Sequence, residues 1–149
     1  LFIKWPNDIY FKDKKIAGIL IKNEIKGMMM GTSIIGIGLN VNQTSFDENL
    51  PNPISMKMIT GKDFDLDELL SAIIGQLTTV NSQQQFFSFQ FSVLNYTNKL
   101  YRYKQWASYK HEGSVKEMMI VGYDQFGRLI LKEKNDHEVV CDLKEIAFV

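Results

Sequence analysis

The sequence predicts an α+β fold: a mixed, mainly antiparallel sheet packed by helices, followed by a small β-barrel at the C-terminus. Three observations lead there. Residues 1–42 read as β-favourable runs separated by turn residues, with no helical period. Leu66, Leu69, Leu70, Ile73, Ile74 and Leu77 recur at i, i+3, i+4, i+7, i+8 and i+11, the apolar stripe of a helix. From Gly113 onward, short apolar runs alternate with polar turn pairs.

Each element arises from local chemistry. Pro6 fixes its own φ and keeps Trp5 out of the helical region, so the run from Leu1 to Ile3 is a strand ending in a Trp5-Pro6-Asn7-Asp8 turn. Ile9, Tyr10 and Phe11 restart β-favourable sequence, Lys12-Asp13-Lys14-Lys15 reads as a hairpin tip, and Ile16 to Ile25 as the next strand. After a Lys26-Gly27 turn, Met28 to Asn42 is its long partner; Gly31, Gly36 and Gly38 within it mark places where the backbone bends or a ligand lies against it. Gln43 to Pro53 is an irregular connection punctuated by Pro51 and Pro53.

Ser55 begins a short helix that Gly61 ends. Asp65 with Glu68 resembles a capping box at the start of the long helix, whose stripe is expected to cover the first sheet as scaffold. Asn81 to Gln85 reads as a polar break. Phe87, Phe91, Leu94 and Tyr101 then recur at helical spacing, so a second helix is expected from about Gln84 to Tyr103, packed on the first. No basic stripe accompanies these aromatics, which favours core packing over base stacking. Trp106 and Tyr109 are expected to seal the join to the C-terminal segment, and Lys110-His111-Glu112 to divide a domain of residues 1–110 from one of residues 111–149. The strands expected beyond are Val115 to Tyr123, Arg128 to Glu133, His137 to Asp142 and Ile146 to Val149. Fewer than about forty residues bury too little surface to stand alone, so this barrel should dock on the larger domain.

Composition narrows the function classes. Seventeen basic and seventeen acidic residues cancel, so no broad attraction for nucleic acid or membrane is implied. Cys141 is the one cysteine, which excludes an internal disulfide; with no twenty-residue apolar run, this suits a cytoplasmic protein, in which the sequons at Asn42 and Asn95 are chance. His137 and Cys141 stand about 13 Å apart if on one strand, so no metal site is expected there or at His111. The chain opens on Leu1 in mid-strand, and a longer protein is expected.

The chemistry-bearing residues gather between Ile3 and Asn42: KWPND, then KKIAGIL with Lys15 seven positions after Asp8, then GIGLNVN. Gly36-Ile37-Gly38 lacks the third glycine and the following helix of a dinucleotide fingerprint. The three motifs, in this order and at this spacing, resemble the central and later part of the catalytic domain of biotin protein ligases. The resemblance is strongest over Ile3 to Asn42, looser from Asp65 to Lys110, and recognisable again from about Gly113, where the segment is similar to that family's SH3-like C-terminal domain. It implies a class II synthetase-like fold truncated at its N-terminus. An upstream Gly/Arg-rich loop over the adenylate, and the strands that hold the ureido ring of biotin, lie outside this chain.

The resemblance also implies an activity: biotin is activated with ATP to biotinyl-5'-AMP, then transferred to a lysine of a biotin carboxyl carrier protein. Making an acyl adenylate brings a carboxylate against a triphosphate, so a fixed cation is needed between two anions. Lys15 is the catalytic candidate, bridging the biotin carboxylate and the α-phosphate. The family pattern places Asn7 and Asp8 on the nucleotide and on the orientation of that lysine, with Asn40 reading the adenine edge. Gly18, Ile19, Gly36 and Gly38 join Lys15 around biotin, the glycines letting backbone approach the ring. Magnesium would arrive with ATP, held by phosphates and water. In the family an arginine near the chain end can touch the nucleotide; here Glu145-Ile146 is followed by Ala147-Phe148-Val149, so that contact is not expected.

Taken singly, a lysine in a charged tip is usually a solvated charge and Asn7-Asp8 an ordinary turn. Two other readings stay open, a lipoate protein ligase with the same lysine logic and a non-enzymatic binding module. Without the upstream loop the fragment alone is expected to be inactive. The unpaired sheet edge or face left near Leu1 to Trp5 is expected to make a homo-oligomer.

Overall fold

The computed structural model describes residues 1–27, 29–83 and 89–149, in two compact units, residues 1–92 and 93–149. In the first unit, strands β1 (Phe2–Lys4), β2 (Asp8–Phe11), β3 (Lys14–Lys26) and β4 (Met29–Leu39) form one antiparallel sheet in sequence order. The β2–β3 turn is Lys12-Asp13, with Lys12 at φ 53, so Lys14 and Lys15 already lie in β3 rather than at the hairpin tip. The reason is register: Phe11 pairs with Lys14 and Tyr10 with Lys15, which leaves two residues for the turn. Trp5, Tyr10, Ile16, Ala17 and Val41 form the buried apolar set at this end of the sheet.

Helix α1 (Met56–Thr60) keeps the expected ends: the Ser55 hydroxyl accepts from Met58 N, and Gly61 closes the helix in the left-handed conformation. Helix α2 (Leu66–Gln83) starts where the Asp65 carboxylate accepts from the amides of Asp67 and Glu68. It runs through Asn81–Gln83, the start of the expected polar break; polar side chains without glycine or proline do not stop a helix. Its stripe does not cover the sheet: Leu66, Leu70, Ile74 and Leu77 are all half or more exposed.

Helix α3 (Phe89–Asn98) ends five residues before the expected Tyr103. Arg102 and Lys104 adopt φ 61 and 56, which a helix cannot accommodate. The expected start at Gln84, and Phe87 with it, lie outside the described residues.

Strands β5 (Trp106–His111), β6 (Ser114–Tyr123), β7 (Leu129–Lys132), β8 (Glu138–Cys141) and β9 (Ile146–Phe148) form an antiparallel sheet in the order β8-β7-β6-β5-β9. The expected boundary at residue 110 falls at the end of β5, inside this second unit, because β5 pairs with both β6 and β9. Tyr109, Met118, Ile120, Leu129, Leu131 and Cys141 are fully buried, and Phe148 meets the Tyr109 ring edge to face at 5.1 Å. Trp106 is 43% exposed.

Candidate functional site

Strict alternation would place Lys15 and Gly18 on opposite faces of β3. Between Tyr10–Lys15 and Ile9–Ala17 the register slips by one residue, so Ile16 is a bulge and Lys15 and Gly18 share a face. Asp8 pairs with Gly18, Gly18 with Gly38 and Leu20 with Gly36, which brings Asp8, Lys15 and three glycines to one surface. A second bulge opposite Glu24 and Ile25 falls at Gly31, where the sequence suggests a bend.

On that surface the Lys15 ammonium lies 2.7 Å from the Asp8 carboxylate, with the lysine side chain 44% exposed and the aspartate 25%. An ion pair this exposed is worth at most about 1 kcal/mol to stability. Its consequence is orientation: the charge is held over the sheet instead of swinging in solvent. Gly18 makes room for it, since a Cβ there would stand 3.3 Å from Asp8 Oδ1 and 3.4 Å from Lys15 Nζ. Gly36 and Gly38 are not required by crowding, because a Cβ at either meets nothing closer than a backbone oxygen at 4.0 or 3.9 Å. What they leave is a flat backbone floor to an open cleft of about 470 Å³ lined also by Asn7, Asp8, Lys15 and Leu20. An apolar, planar ligand fits such a floor, with its charged end at Lys15.

Asn7 clamps the turn to the sheet: its carbonyl accepts from Ile19 N at 2.8 Å, and its side-chain amide donates to the Ile19 carbonyl. Ile19 thus presents backbone to the cleft, while its side chain takes the other face with Ile37. Asn40 lies apart from the glycine floor, in an adjoining cavity of about 330 Å³ that shares Asp8 and Lys15. Its side-chain amide donates to the carbonyls of Ile54, at 3.2 Å, and Lys15, at 3.5 Å, so Oδ1 is the atom left to accept from a ligand.

Lys15 is backed by a segment that no sequence motif announces. Asn52 and Pro53, read as irregular, run with Ile54 along β3: Lys15 N donates to Asn52 O at 2.8 Å and Ile54 N to Lys15 O at 2.9 Å. Pro51 and Pro53, which favour an extended backbone, were the available signal. Asn42 closes the GIGLNVN motif and opens a sequon but carries no assigned role in the sequence; its side chain pairs with both backbone groups of Phe64, at 2.8 and 3.0 Å.

Among the described residues no group of three His, Cys, Asp or Glu side chains is placed to hold a metal ion. Asp8 is the carboxylate lining the cleft and is already paired with Lys15. These residues do not themselves build a magnesium site. No described helix is long and apolar enough to cross a membrane.

Comparison with known proteins bears on the same residues. Residues 1–40 match the Biotin/lipoate A/B protein ligase family. The bifunctional ligase/repressor BirA of Bacillus spizizenii is 51% identical over 45 residues, 30% of this chain and 14% of that protein. Escherichia coli BirA is 32% identical over 77 residues, 50% of this chain and 24% of that protein. The biotin–[acetyl-CoA-carboxylase] ligase of Paracoccus denitrificans is 28% identical over 93 residues, 60% of this chain and 39% of that protein. The biotin protein ligase of Aquifex aeolicus, solved with biotin and ATP, superimposes with a TM-score of 0.72 at 25% identity, over 99% of this chain and 61% of that one. The chain therefore spans well under half the length of these curated relatives and about three fifths of the solved structure. The mixed α+β architecture and the resemblance carried by KWPND, KKIAGIL and GIGLNVN both hold.

Proposed function

We propose that this chain is the later portion of a biotin protein ligase, the whole of which forms biotinyl-5'-AMP from biotin and ATP and passes biotin to a lysine of a carboxyl carrier protein. The observation that supports it most is the ion pair of Lys15 and Asp8 held at the edge of a glycine floor. In this reading the biotin ring lies on Gly18, Gly36, Gly38 and the backbone of Ile19, with its carboxylate at Lys15. The α-phosphate of ATP approaches the same ammonium. At this exposure each contact contributes on the order of 1 kcal/mol in the ground state, and more where charge develops in the transition state. The carboxylate oxygen attacks the α-phosphorus and pyrophosphate leaves; the acceptor amine then attacks the anhydride carbonyl and AMP leaves, with Lys15 stabilising the charge on both. Asp8 orients Lys15, Asn7 fixes the turn beside the nucleotide, and Asn40 offers Oδ1 to the adenine amine.

The second unit takes the part of the SH3-like C-terminal domain, and the protein acts in the cytoplasm. The 149-residue chain alone turns over little, and Ile21, Ile35 and Ile37, which share the sheet face opposite the glycine floor and are all more than two fifths exposed, provide a face for self-association that sedimentation of the chain would detect. The test of the ligase reading is pyrophosphate release by the full-length protein with ATP and either biotin or lipoate. Release with biotin alone supports it; release with lipoate alone assigns the other branch of the family; release with neither refutes both.

A further inference from the structure

We propose that Asn52 is a positioning residue for Lys15, a role its place in an apparently irregular loop conceals. Three polar groups of Asn52 converge on the hairpin that carries the lysine. Its carbonyl accepts from Lys15 N at 2.8 Å, its side-chain amide donates to the Asp13 carbonyl, and its Oδ1 accepts from the Tyr10 hydroxyl at 3.4 Å. Ile54 N completes the strap by donating to Lys15 O at 2.9 Å.

One residue thus ties together the strand before the turn, the turn itself and the backbone of Lys15. The flanking prolines make this dependence sharper. Pro51 and Pro53 have no N–H, so between them Asn52 supplies the donors, and their fixed φ keeps the strap extended alongside β3. The hairpin end needs such a tie, because Lys12 at φ 53 and the bulge at Ile16 bracket Lys15 with two irregularities inside five residues. Without the side-chain amide, that end is free to rock, and the ammonium moves relative to Asp8 and the cleft floor. The positional claim stands on geometry alone; its catalytic consequence rests on the ligase function proposed for the whole protein.

The test uses the full-length protein with Asn52→Ala, which removes both side-chain contacts, and Asn52→Asp, which keeps the acceptor for Tyr10 but turns a carboxylate oxygen toward the Asp13 carbonyl. Amine acetylation with peptide mass spectrometry reads Lys15 against exposed Lys62. In Asn52→Ala, Lys15 should label about threefold faster, the scale of losing one exposed ion pair, with Lys62 unchanged and Asn52→Asp showing at least as large a rise. Turnover should fall about tenfold in kcat, with KM for biotin held within about twofold. Unchanged Lys15 labelling in both variants overturns the proposal. An equal rise at Lys15 and Lys62 in both overturns it too, assigning Asn52 to folding alone. Faster Lys15 labelling with wild-type turnover upholds the positioning and removes Lys15 from the chemistry instead.

Discussion

Gly18→Ala tests how closely the charge at the cleft is tuned. The added methyl would stand 3.3 Å from Asp8 Oδ1 and 3.4 Å from both Cε and Nζ of Lys15, so the pair must shift by a few tenths of an ångström. Replacing glycine in a strand should stabilise the fold by about 0.5–1 kcal/mol. Loss of an exposed ion pair offsets that by up to about 1 kcal/mol, so Tm should move by less than about 4 °C. Chemistry is more sensitive than folding: a displacement of about 1 Å can cost a hundredfold, so a few tenths should cost about fivefold in kcat. Gly38→Ala is the matched comparison, because its Cβ meets nothing nearer than the Gly18 carbonyl at 3.9 Å. It should raise KM for biotin by filling the floor and leave kcat near wild type. The assay is pyrophosphate release by the full-length variants over a biotin titration. Wild-type kcat in Gly18→Ala, with the fold intact, would refute the claim that the spacing of Asp8 and Lys15 matters.

Two further outcomes concern residues away from the cleft. Asn42→Ala removes both amide contacts to Phe64, at about 1 kcal/mol each, and should lower stability by roughly 2 kcal/mol in urea unfolding with little effect on substrate binding. Cys141 is fully buried, and burial first, then Glu145 and Glu112, push its thiol up from 9.0 to about 11. Its folded pKa being the higher, its contribution to stability is whole below pH 9 and is lost as pH rises through about 11. At pH 8 iodoacetamide should therefore label Cys141 slowly in the native protein and readily in urea; equal rates would contradict the burial.

Much of this was legible because local chemistry decided it. Pro6 ended the first strand, Ser55 and Gly61 bounded α1, and Asp65 started α2, each through interactions within a few residues. The bulge at Ile16 was not legible, since no glycine or polar residue marks it, and without it Lys15 would face away from Gly18. Nor was the strap at Asn52, because its partners Tyr10, Asp13 and Lys15 lie about forty residues earlier. The strand β5 was missed because Trp106 and Tyr109 continue an aromatic series begun in α3; positive φ at Arg102 and Lys104 breaks that series and no sequence period announces it. The stripe on α2 was read correctly as a stripe, and only its covering was not.

The most direct measurement is single-turnover formation of biotinyl-5'-AMP by the full-length protein with Lys15→Ala. Loss of about a hundredfold or more, with biotin still bound, is the result expected of an ammonium that stabilises both anions. Adenylate formation at the wild-type rate would show that the charge held by Asp8 takes no part in the reaction.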